Sequence, residues 1–99
     1  VQPNSNEMMR VHIWVTGRVQ GVGFRAHVEH YAAKLGVSGW VRNVGRDTVE
    51  AVAEGLPAQV EPFILMVKTG PRASRVDEVR LEEEESLAGE EGFVVKRSL

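Results

Sequence analysis

Arg25 and Asn43 are the side chains whose setting points to chemistry. Arg25 closes the run GRVQGVGFR, residues 17–25, where three glycines fall within seven positions. Glycines let a backbone curl until successive N–H groups aim at one spot, which makes an anion nest. A helix opening straight after such a turn adds its free first-turn N–H groups and its dipole to the same field. A cation in that first turn is disfavoured by about 0.3–1 kcal/mol, and a bound dianion reverses the sign. The guanidinium fork also fits two phosphate oxygens at once. Asn43 sits in GWVRN, residues 39–43. Its neutral amide has an acceptor oxygen that can hold a water by one of its hydrogens. A glycine-rich turn carrying an arginine is also a common structural device, so these residues alone leave an anion site and a plain turn both open.

The surrounding pattern says which elements would position them. Val11, Ile13 and Val15 alternate with His12, Trp14 and Thr16, a strand over 10–16. From Phe24 the period turns helical through Val28, Tyr31, Ala32 and Leu35, and Gly36 is a natural stop. A second strand is expected over 37–43 and a third in TVEAVAE, with Val49, Ala51 and Ala53 on one face. The short turn at residues 44–47 makes these two a hairpin. Gly55-Leu56-Pro57 opens a second helix with Val60, Phe63, Ile64 and Val67 inward, and Gly70-Pro71 ends it. A fourth strand is expected from about Ser74 to Glu83, and FVVKR forms a short terminal strand.

The order β-α-β-β-α-β predicts an α+β, ferredoxin-like split βαβ sandwich. It has one antiparallel sheet with two helices on one face, plus the short last strand. Residues 1–9 read as a polar N-terminal tail and 10–99 as a single domain. In a βαβ unit the first two strands run the same way, so the loop after one and the end of the other share a sheet edge. With the third strand between them, about 10 Å separates the two. GRVQGVGFR and GWVRN are therefore expected around one cleft.

Composition narrows the classes. The chain has 99 residues, a net charge of −2 and no cysteine. Thiol chemistry, disulfides and cysteine-ligated zinc are excluded. No apolar run approaches a membrane span, and the N-terminus lacks the apolar core of a signal peptide. A cytoplasmic protein without a membrane partner is the expectation. The RNA-recognition fold shares the element order, but VEAVAEG lacks the aromatics such a sheet presents, so no nucleic-acid partner is expected. His27 and His30 have HxxH spacing without a third ligand and read as a solvated helix face. His12 has no evident partner, and Glu82–Glu85 read as a solvated strand end. No serine has a recognisable base.

GRVQGVGFR resembles the first signature of the acylphosphatases. GWVRN with the hairpin VEAVAEG resembles the second, and GPRASRV at 70–76 is similar to the family's bridge between the second helix and the fourth strand. The likeness spans residues 10–97. It implies a small enzyme without metal or cofactor that hydrolyses the carboxyl–phosphate bond of small-molecule acyl phosphates and works as a monomer. It further implies that Arg25 holds the phosphate together with the backbone N–H groups of Gln20, Gly21, Val22 and Gly23. Phosphate or sulfate is then the expected occupant of the loop, and Asn43 positions the attacking water. The alternative is a domain that binds acyl or carbamoyl phosphate as an accessory or regulatory module with little turnover.

Overall fold

Val11, Ile13 and Val15 point to one side of strand β1 (Met9–Arg18) and are fully enclosed, as their alternation requires. The computed structural model describes residues 7–99. The tail expected over 1–9 falls mostly outside these residues, and Met9 already pairs with Gly55. After β1 come α1 (Phe24–Leu35), β2 (Ser38–Val44), β3 (Thr48–Gly55), α2 (Pro57–Thr69), β4 (Arg75–Glu84) and β5 (Phe93–Val95). The order across the sheet is β4-β1-β3-β2-β5. This is the ferredoxin-like α+β arrangement, with β3 between β1 and β2.

Helix α1 buries Phe24, Val28 and Ala32, residues four apart that stack on one face. Tyr31 and Leu35 lie at its half-buried margin. Gly36 ends it in the left-handed conformation, with its N–H donated to the Ala32 carbonyl at 2.9 Å. Helix α2 starts at Pro57, and the Leu56 N–H is taken by Gln59 Oε1 at 2.9 Å. Val60, Phe63 and Val67 complete the core against Val41, Val49, Ala51 and Ala53. Burying side chains such as Phe63 contributes about 1.5–3 kcal/mol each.

The sheet departs from a purely antiparallel one at its last strand. β5 pairs in parallel with β2, Gly39 opposite Phe93 and Val41 opposite Val95. The chain continues along the same edge, where Lys96 N–H reaches the Val41 carbonyl and Leu99 N–H the Asn43 carbonyl. Phe93 packs edge-on against Phe63, with ring centroids 5.9 Å apart.

The other face of the sheet is not simply solvated. Glu50, Val52 and Glu54 are buried along with the inward residues of β3. Trp14 lies between His12, stacked at 3.8 Å, and the Arg80 guanidinium at 4.6 Å. Trp40 lies between Arg42 and Lys96. His12 does have a partner, contrary to expectation: its Nε2 lies 2.6 Å from Glu50 Oε2. Arg42 Nε donates to the other Glu50 oxygen at 2.6 Å. Burial raises the Glu50 carboxyl pKa, and these two partners overcome that and hold it below the usual carboxylate range. Glu54 accepts from Arg10 at 2.7 Å and from the N–H groups of Ala88 and Glu90 at 2.7 and 2.9 Å. Burial pushes it up as well, and these donors bring it below the ordinary value.

Candidate active site

The loop between β1 and α1 is shaped by backbone constraints. The pairing of β1 with β4 shifts register between Thr16 and Gly17, an irregularity of the kind that bends a strand end. A Cβ on Gly17 would fall 2.3 Å from the Arg75 carbonyl oxygen, so only glycine permits this approach. Gly21 and Gly23 adopt left-handed backbone, with φ of 73° and 80°. Gly23 is the N-cap of α1 and brings no side-chain cap, and no acidic residue occupies the first turn. The first i→i−4 bond of the helix runs from His27 N–H to the Gly23 carbonyl at 3.0 Å. The preceding N–H groups of Phe24, Arg25 and Ala26 have no acceptor within the helix.

The loop is stitched to the end of β2. The Gln20 side-chain amide donates to the carbonyls of Val44, Gly45 and Thr48 at 3.3, 3.1 and 2.9 Å. Gly17 N–H reaches the Asp47 carbonyl at 3.0 Å. Both links tie the loop to the β2–β3 turn, next to Asn43.

A cavity of about 340 Å³ opens where these parts meet. Arg25 and Asn43 both line it, together with Gly21 and Gly23. Val19 and Phe24 supply its apolar floor, and both are buried. Ala26 and Glu29 of α1 and Val95 of β5 complete the wall. Both residues are half-buried, and among the described residues no side-chain hydrogen bond or salt bridge involves the Arg25 guanidinium or the Asn43 amide. The cavity is thus a cationic end with free N–H groups, faced by a neutral amide. It suits a small dianion and one or more waters.

Of the four loop residues expected to offer N–H groups, Gly21 and Gly23 line the cavity, and Gln20 and Val22 do not. Val22 packs against the core, and Gln20 spends its side chain on the turn. His27 departs from the solvated helix face expected for it. It is half-buried, and its Nε2 lies 2.8 Å from the Met66 carbonyl, joining α1 to the end of α2. His30 is exposed. Among the described residues no three His, Asp or Glu side chains gather in a metal-binding group, and no helix is long and apolar enough to cross a membrane.

The family model of the acylphosphatases matches residues 11–95. The chain belongs to the acylphosphatase family. An acylphosphatase of Trichormus variabilis is 48% identical over 98 residues, covering 96% of each chain. The crystal structure of the Bacillus subtilis acylphosphatase superposes with a TM-score of 0.85 at 39% identity, over 89% of this chain and 98% of that one. Full-length HypF, in its phosphate- and nucleotide-bound form, gives a TM-score of 0.85 at 30% identity, but the match takes in only 12% of that longer chain. Family membership makes the protein a hydrolase of the acylphosphatase type. The stretch matched by the family model contains both the glycine-rich loop and Asn43.

Three lining residues, Ala26, Glu29 and Val95, and one brace were not singled out from the sequence. Glu29 follows Arg25 by four residues, so helical spacing alone puts both on one face. Val95 carries no local signal, because its place depends on β5 pairing with β2. The Gln20 brace reaches across 24 to 28 residues to three main-chain carbonyls, which no side-chain pattern marks.

Proposed function

We propose that this chain hydrolyses acyl phosphates in the cavity between the glycine-rich loop and the end of β2. Arg25 grips the phosphoryl oxygens with its fork, and the loop N–H groups, foremost those of Gly21 and Gly23, complete the cradle with the first turn of α1. Asn43 accepts a hydrogen of the attacking water and sets it in line with the bond to be broken. One observation carries the reading: Arg25 and Asn43, 18 residues apart, line a single small cavity, and among the described residues neither side chain has a partner.

The chemistry needs no more than these groups. The reaction is acyl phosphate plus water, giving a carboxylate and inorganic phosphate. The leaving carboxylate has a conjugate acid of pKa about 4, so it departs as an anion without a general acid. Phosphoryl transfer with a loose transition state makes little demand on the nucleophile's basicity. Charge on the equatorial oxygens and the placement of water remain, and the cradle and Asn43 supply them. No metal or cofactor enters this mechanism.

The test is hydrolysis of benzoyl phosphate with EDTA present, by the native chain, Arg25→Ala and Asn43→Ala. Turnover that both substitutions abolish is expected. The likeness to one part of HypF supports a second reading, a phosphate-binding module within a larger system. Tight phosphate binding by the native chain without turnover would favour that module.

A further inference from the structure

The cavity is electrically lopsided. Arg25 is the one cation among its lining residues, and Glu29 is the one anion. Glu29 stands one turn further along α1, about 6 Å by helical rise. It is exposed, and among the described residues it has no hydrogen-bond or ion-pair partner. Across from α1 stands Val95, an apolar residue of β5 that is 38% exposed. With the phosphoryl group at the nest, Ala26, Glu29 and Val95 are the wall residues left to meet an acyl group.

We propose that Glu29 sets a charge preference for the acyl group, favouring neutral or cationic acyl phosphates over those with a second anionic group. This rests on the reading that the Arg25 end takes the phosphoryl group. Any effect of Glu29 on the phosphate itself is common to all such ligands and cancels in their ratio. A carboxylate on a short acyl group would come within roughly 5–8 Å of Glu29. At that distance, in a largely aqueous dielectric, two unit charges discriminate by about two- to tenfold at low salt. The rest of the wall offers a carboxylate nothing in return, because Val95 and Ala26 have no side-chain donor.

The experiment compares two non-hydrolysable ligands, benzoylphosphonate and 4-carboxybenzoylphosphonate, by calorimetry at low ionic strength. The proteins are the native chain, Glu29→Gln and Glu29→Lys. The site is an exposed helical position where all three residues have similar helix propensity, so the variants should fold. The native chain should prefer benzoylphosphonate, whose acyl group is uncharged. Glu29→Gln should cut that preference by about two- to tenfold, Glu29→Lys should cut it further, and added salt should shrink both effects. The same affinity ratio in all three proteins would overturn the proposal. Turnover of benzoyl phosphate is scored separately. A shifted affinity ratio without turnover would sink the catalytic reading and leave the charge preference standing. Failure of both phosphonates to bind would overturn both.

Discussion

The side-chain amide of Gln20 donates to the carbonyl of Val44, the residue that follows Asn43. It also reaches Gly45 and Thr48, so two amide hydrogens serve three carbonyls on the turn. The loop that leads to Arg25 and the strand that carries Asn43 are thereby held as one piece. Removing this brace lets the two halves of the cavity drift relative to each other. Small misplacements cost much in a reaction that depends on in-line placement. Gln20→Ala should lower kcat/KM for benzoyl phosphate by about ten- to a hundredfold. Global stability should fall by only about 1 kcal/mol, the worth of an ordinary hydrogen bond. Steady-state kinetics beside a urea titration reads both. Native-like kcat/KM in Gln20→Ala would remove the brace from the account.

Arg25 tests whether geometry or charge matters at the nest. Lysine keeps the charge and loses the planar fork. Arg25→Lys should remain far below the native rate, by roughly a hundredfold, with weaker inhibition by inorganic phosphate. A rate near native for Arg25→Lys would show that a point charge suffices and that bidentate binding is wrong.

Glu54 governs the segment that brings β5 to the sheet. It is 3% exposed and accepts from Arg10 and from two N–H groups of the segment before β5. Glu54→Ala leaves Arg10 and those N–H groups without their acceptor, and should destabilise the fold by about 3 kcal/mol. The acid response has a definite sign. The carboxyls of Glu54 and Glu50 lie below their ordinary value of 4.5 in the fold, so the unfolded chain binds more protons in that range. Their stabilisation is complete above about pH 4.5 and is lost as pH falls through the lower folded values. Urea midpoints measured from pH 7 down to pH 3 should drop most steeply below pH 4.5, and the drop should be smaller in Glu54→Gln. A flat profile in the native chain would contradict this assignment.

The readable parts of the sequence were those with local rules. Phe24, Val28 and Ala32 repeat every four residues, and Gly36 stops the helix, so α1 is legible within a residue. GRVQGVGFR and GWVRN each reveal half of the candidate site, and the shared direction of the first two strands in the βαβ unit brings the halves together. The outer sheet face was not legible. VEAVAEG alternates like a half-solvated strand, yet Glu50 and Glu54 are buried because their partners come from other strands. Arg10 lies 44 residues from Glu54, and His12 lies 38 from Glu50. The parallel pairing of β5 was equally hidden, since three residues carry no directional signal and a buried carboxylate far upstream fixes their approach.

Asn43 gives the most direct measurement of the central claim, that a neutral amide places the attacking water while other groups bind the phosphate. The quantity to measure is the turnover of benzoyl phosphate by Asn43→Ala, together with its inhibition constant for inorganic phosphate. The account predicts a rate lower by about a hundredfold or more, with phosphate inhibition within about twofold of native. Turnover at the native rate would contradict the water-placing role. An equal loss of phosphate affinity and rate would put Asn43 in the cradle instead.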